Sequence, residues 1–340
     1  MKPLCFVRSF AAVLAMAAPA MTLAQEVNVY SSRHYDSDDA LYAAFTDQTG
    51  IAVNRIEAKA DELLARMAAE GRNSPADLFI TVDVGRMARA EEAGLLQPFT
   101  SDVIETRIPD HMQHPDNLWT GLSQRTRIIF YARDRVDSPP QSYEALAQPE
   151  WQGKVCIRSS SNIYNQSLLA SLIEVHGEAA ARDWAAAIVA NMARPPQGGD
   201  TDQLRGIVSG ECDVAVANHY YFLRGFDKDI DGLSAGIEGI GWVWPNQDGR
   251  GAHVNLAAAG IAASSPNPAE AQALLEFLTG DYAQAQFASQ NHEYPAATGA
   301  PGDEGTARLG AFKADSTTPT AAFSRNAKAA QAIFNAVGWD

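Results

Sequence analysis

Three short segments of this chain place tyrosine where a strand pattern gives way to a helix pattern. They are Ser31-Ser32-Arg33-His34-Tyr35 after the run VNVY, Ser159-Ser160-Ser161-Asn162-Ile163-Tyr164 after KVCIR, and Asn218-His219-Tyr220-Tyr221 after VAVA. Strand ends are where ligand groups gather in α/β architectures. Phenolate is a hard oxygen donor, which suits a hard, highly charged cation such as ferric iron, and tyrosinate ligation of iron has precedent in haem proteins. An ordinary tyrosine, with a pKa of about 10, is neutral at pH 7, so the ion itself must supply the reason to ionise it. Binding would then release protons and weaken as pH falls. Three phenolates and a neutral imidazole would balance a ferric ion, while a ferrous ion would leave one negative charge for a nearby arginine to offset. Taken singly, each tyrosine is more often a packing residue than a ligand, and His34 and His219 read equally well as surface or capping residues. The case rests on joint placement. On a continuous strand Tyr220 and Tyr221 would point to opposite faces, so a shared site requires a turn at that point.

The elements that must hold these residues follow a repeated rhythm. VNVYSS reads as a strand and DSDDALYAAFTDQTG as a helix stopped by Gly50; IAVNRIE and ADELLARMAAEG, then ADLFITVD and VGRMARAEEAG, repeat the alternation. That alternation predicts parallel β-α-β units with helices on both faces of a sheet. The strand RIIFYAR (127–133) leads to a break at Pro139 and Pro140, and a second α/β region runs from KVCIRS to CDVAVANH. The Gly-rich stretch GFDKDIDGLSAGIEGIG carries no clear period, and VNLAAAGIAAS with PAEAQALLEFLTG resumes the first rhythm. Two lobes joined by crossing strands would produce this order, with the binding site in the cleft between them. The expected division is 25–122 plus about 228–293 for the first lobe, and about 123–227 plus 294–340 for the second.

Residues 1–24 have the parts of a secretory signal peptide: Lys2 and Arg8, an apolar run from Phe10 to Ala18, and Thr22-Leu23-Ala24 before a cut near Gln25. The run is too short for a spanning helix, and no membrane insertion is expected. Export to an oxidising compartment makes a disulfide the expected fate of Cys156 and Cys212, the even pair left once Cys5 departs. The net charge of −15, from 26 basic and 41 acidic residues, has the wrong sign for a nucleic-acid partner. Gly232-Leu233-Ser234-Ala235-Gly236 matches the spacing of a hydrolase nucleophile elbow, which needs a strand before the serine and a helix after it; neither neighbour supports that context.

Over nearly its whole length after the signal segment, the chain resembles the periplasmic ferric-iron-binding proteins of bacterial ABC transporters. The motifs that carry the likeness are Tyr30-Ser31-Ser32-Arg33-His34-Tyr35, Ile163-Tyr164-Asn165 and the Tyr220-Tyr221 pair. The branch it is most similar to binds iron through tyrosines and a histidine without a carbonate partner. The resemblance implies a two-lobed periplasmic-binding-protein fold of type II, α/β, each lobe a mixed and mainly parallel sheet flanked by helices. It implies His34, Tyr35, Tyr164, Tyr220 and Tyr221 as ligands of Fe3+, with Fe2+ as a second form. Arg125 looks like the family's cleft arginine beside the ligands, and Arg33, Arg127 and Arg224 also lie near matched motifs. His219 stands where relatives often have a small polar residue, which leaves open whether the histidine ligand is His34, His219 or neither. A monomer is implied, with no catalytic role, taking iron or a small iron chelate and delivering it to an inner-membrane ABC permease and its ATPase. The competing expectations are a binding protein of the same fold for a polyamine, thiamine or an oxyanion, and, more remotely, a secreted serine hydrolase built on Ser234.

Overall fold

The computed structural model describes residues 25–33 and 35–340. The expected signal segment and His34 lie outside the described residues. Strand β1 (Glu26–Ser31) sits between β2 (Ala52–Glu57) and β3 (Leu78–Thr81) and runs parallel to both, with the helices Ser37–Thr49 and Ala60–Glu70 as crossovers. Gly50 closes the first of these helices at φ 75°, a left-handed conformation that a side chain disfavours. The remaining strands are β4 (Thr120–Ala132), β5 (Val155–Cys156), β6 (Val214–Asn218), β7 (Ile240–Val243), β8 (Val254–Ile261) and β9 (Tyr294–Pro295). The sheet order is β2-β1-β3-β8-β4-β6-β5, with β7 and β9 also paired to β4.

Strand β4 joins the two halves. Its residues from Thr120 to Thr126 pair with β8, and those from Arg127 to Tyr131 pair with β6. All but two of its 13 residues are buried, as a strand covered on both faces must be. The fold is the expected two-lobed α/β architecture, although parallel pairing is confined to β1 with β2 and β3 and to β5 with β6; β4 and β8 run antiparallel to every neighbour. The helix-strand alternation could not show this, because β8 follows β7 with no helix between and inserts between β3 and β4.

One core gathers Val29, Phe45, Phe79, Leu122 and Phe287 in the first lobe. Two others lie on opposite faces of the second sheet, around Ile129 and Trp184 on one side and Phe130 and Phe222 on the other. Leu233, Ile237 and Ile240 belong with Phe130 and Phe222, so the chain returns to the first lobe at β8, later than the expected boundary near 228. The stretch looked aperiodic because it is a 3-10 turn, Ser234–Gly239, anchored by isolated apolar residues. Ala296, Ala297 and Phe323, placed in the second lobe by the sequence, pack in the first core. Ser234 is a turn residue: its Oγ donates to the Lys228 carbonyl at 2.6 Å and accepts from the Ile230 N–H at 2.9 Å. Neither the strand nor the helix of a nucleophile elbow flanks it, which removes the hydrolase reading.

Cys156 and Cys212 form a disulfide across a sequence separation of 56, pinning β5 to the segment entering β6. Gly206 on the helix Asp200–Ser209 lies against it, where an added Cβ would stand 2.7 Å from one sulfur. A cross-link of this span stabilises by about 4 kcal/mol in the chain-entropy model. The double variant Cys156→Ser, Cys212→Ser should therefore unfold at lower urea concentration with a free-energy loss of 2–5 kcal/mol, read by circular dichroism. A loss below about 1 kcal/mol would mean that the bond constrains little.

Candidate metal centre

The three tyrosine segments converge. Tyr164 lies in the first turn of the helix Ile163–Asn191, whose N-cap Asn162 accepts from the Tyr164 N–H at 3.1 Å. Tyr220 and Tyr221 lie in the first turn of the helix His219–Asp227, which begins where β6 ends. That helix start supplies the turn the sequence required: the two rings stand side by side, 4.5 Å between centres, instead of on opposite faces of a strand. The Tyr220 hydroxyl donates to the Tyr164 hydroxyl at 3.2 Å and accepts from Asn218 Nδ2 at 3.2 Å. Tyr35 comes from the other lobe, on the loop after β1. The guanidinium of Arg224 bridges the two sides, 5.5 Å from the ring centre of Tyr35, 4.9 Å from Tyr220 and 5.5 Å from Tyr221. A cation stacked on aromatic faces is favourable in its own right.

Desolvation pushes three of these phenols further from ionisation. Tyr220 is buried, and desolvation with the neighbouring Tyr164 pushes its pKa well up. Desolvation, then proximity to Tyr221, lifts Tyr164 to about 12. Tyr35 is raised by desolvation first and by Glu293 second. The oxygens are therefore neutral donors in waiting, and a multivalent cation is what would ionise them. Among the described residues no group of three or more His, Cys, Asp or Glu is gathered to hold a metal.

The frame around the phenols is ionic and buried. Arg127 donates through Nη1 to Asp200 at 3.0 Å and to Asn218 Oδ1 at 3.1 Å, and through Nη2 to Asn165 Oδ1 at 2.9 Å. One side chain thereby ties the residue after Tyr164 to the residue two before Tyr220. Asp83, on the first lobe, accepts from Ser167 Oγ at 3.1 Å and from Asn255 Nδ2 at 2.9 Å, linking the Tyr164 helix across the cleft. Arg33 and Arg125, the two arginines expected beside the ligands, are both buried and both meet Glu293. Arg33 also lies 4.9 Å from the ring centre of Tyr35, and Arg125 5.8 Å from that of Tyr220. Glu293 had no sequence signal, since it follows the helix Asp281–Asn291 in an unpatterned stretch.

His219 is fully buried. Its Nε2 meets the His292 carbonyl at 2.6 Å and its Nδ1 accepts from the Thr126 N–H at 3.3 Å. Desolvation, only partly offset by those backbone bonds, lowers its pKa to about 4, so the ring is neutral and both nitrogens are engaged. It supports the tyrosine pair from behind. The roomier cavities belong elsewhere: one of about 520 Å³ is bounded by Gln124, Tyr294, Asp303 and Phe312, and none of the four clustered tyrosines lines it.

Known proteins resemble this chain over most of its length. Iron uptake protein A1 of Synechocystis is 46% identical over 316 residues, covering 93% of this chain and 88% of its own. The major ferric iron-binding protein of Neisseria meningitidis is 28% identical over 291 residues, 84% of each chain. Among solved structures, a Trichodesmium protein in complex with iron and citrate superposes with a TM-score of 0.89 at 45% identity, covering 93% of this chain and 100% of that one. Residues 73–312 match the bacterial extracellular solute-binding protein family, and with relatives of this identity and coverage the chain is a member of that family, a binding protein and not an enzyme.

Proposed function

We propose that this protein is the periplasmic substrate-binding component of an iron ABC importer, holding ferric iron between its lobes and delivering it to an inner-membrane permease and its ATPase. The observation that carries the reading is the convergence of four phenols from three strand ends, Tyr220 buried and the other three partly so, with Tyr220 and Tyr164 in hydroxyl contact at 3.2 Å. Tyr35, Tyr164, Tyr220 and Tyr221 are the oxygen ligands. His34, beside Tyr35 in sequence, is the nitrogen ligand, because both nitrogens of His219 are engaged with backbone. Since Tyr35 and the other three phenols belong to different lobes, the ion would add a further tie across the cleft to the contact of Asp83 with Ser167. Release follows when the lobes open and the phenolates leave the ion, each taking back the proton it lost on binding. The iron named with the Synechocystis and Trichodesmium relatives agrees with this donor set.

Titration of the metal-stripped protein with a ferric chelate should produce a visible phenolate-to-iron charge-transfer band that saturates at one iron per chain. Tyr220→Phe and Tyr164→Phe should each weaken binding at least tenfold and change the band. A colourless protein that instead gains thermal stability from a polyamine, thiamine or an oxyanion would move the function to that solute.

The pH dependence has a fixed sign. The phenols of Tyr35, Tyr164 and Tyr220 are held neutral in the metal-free fold, so each one that ligates expels a proton. Apparent affinity, measured against a competing chelator of known strength, should fall by at least a factor of ten per unit as pH drops from 8 to 6. An affinity flat across that range would mean that the phenols do not ionise on binding.

A further inference from the structure

Two buried guanidiniums stand beside the phenols, and one carboxylate holds both. Glu293 Oε2 accepts from Arg33 Nη1 at 2.9 Å and from Ser123 Oγ at 2.5 Å, while Oε1 accepts from Arg125 Nη2 at 2.6 Å. Asp38 takes the other side of Arg33, from Nε at 3.1 Å. All four charged side chains are at most 2% exposed. Two cations and two anions leave the group with no net charge. Arg125 nevertheless keeps Nε and Nη1 without hydrogen-bond partners among the described residues, so Glu293 is what fixes this guanidinium and neutralises it.

We propose that Glu293 is a positioning residue that sets the oxidation state in which iron is held, a reading that rests on the iron-binding function above. Whatever number of phenols ionises, ferrous iron leaves the site one charge more negative than ferric iron. With Glu293 in place this neutral quartet adds nothing to the compensation that Arg224 gives that added negative charge, whereas Arg33 and Arg125 without Glu293 would favour it. Glu293 thus biases the bound ion toward the ferric form. Reduction adds one electron to the ion and makes or breaks no bond at Glu293. The carboxylate itself stays ionised throughout, because burial, which would raise its pKa, is outweighed by Arg33 and Arg125, and the pKa lies at about 2.

The test is the midpoint potential of the iron-loaded protein by spectroelectrochemistry, with the electrode supplying the electron through a mediator and the charge-transfer band as readout. Removing a unit charge within about 10 Å of an ion changes its relative stability roughly tenfold at the effective dielectric of a protein site. For a one-electron couple that is about 59 mV. Glu293→Gln should raise the potential by about this amount, and Glu293→Asp, which keeps the charge, should stay near the parent. An unchanged or lowered potential in Glu293→Gln, with the band retained, overturns the proposal. If Glu293→Gln does not fold, Arg125→Gln should lower the potential by a similar amount, and an unchanged value there overturns it as well. A parent protein that gives no charge-transfer band overturns the iron reading itself, and this one with it.

Discussion

Four phenols from both lobes meet at one place, and the structure around them holds them converged so that a multivalent cation can ionise them. Desolvation raises the pKa of Tyr220 and Tyr164 above the ordinary value, so ionising them without a cation is harder still. Neutral hydroxyls offer little attraction for one another, so their positions must come from elsewhere. They come from ion pairs and backbone: Arg127 with Asp200, Asn165 and Asn218 on one lobe, and Arg33 and Arg125 with Glu293 on the other. Such buried pairs are weak evidence for stability, since desolvation offsets much of their attraction. Breaking one partner is costly, however, and that asymmetry makes them good locators.

The topology explains why the locators can act across a cleft. β4 belongs to both sheets, so Arg125 and Arg127, two residues apart on one strand, serve the two lobes in turn. Arg125 turns toward Glu293 and the Tyr35 loop, and Arg127 toward the helices that carry Tyr164 and Tyr220. His219 extends the same logic through backbone: Thr126 of β4 donates to its Nδ1, and His292, the residue before Glu293, accepts from its Nε2. Three consecutive residues of the hinge strand are therefore wired to every element that bears a candidate ligand.

Much of this was legible in the sequence, for physical reasons that differ by residue. Tyrosines at strand ends could be found because a strand pattern, a Ser-rich or Asn-rich turn and a helix pattern are all local signals. The turn needed between Tyr220 and Tyr221 followed from the period of a strand, and the helix start at His219 supplies it. Glu293 could not be found, because its role depends on Arg33 lying 260 residues away in sequence and Arg125 lying 168 away. Pairings at that range leave no periodic trace. The stretch after 228 gave no pattern for a related reason: Leu233 and Ile237 anchor a 3-10 turn beside Phe130 and Phe222 at a spacing no regular helix or strand would show. Antiparallel β8 was read as resuming a parallel rhythm because strand direction is set by crossovers that the local pattern does not encode.

The most direct test of a ligand set drawn from both lobes is an anomalous difference map at the iron edge from crystals of the iron-loaded protein. The account predicts one peak within bonding distance of the hydroxyl oxygens of Tyr35, Tyr164, Tyr220 and Tyr221, with Glu293 still between Arg33 and Arg125. A peak outside that cluster, or one bound by phenols of a single lobe, would contradict it.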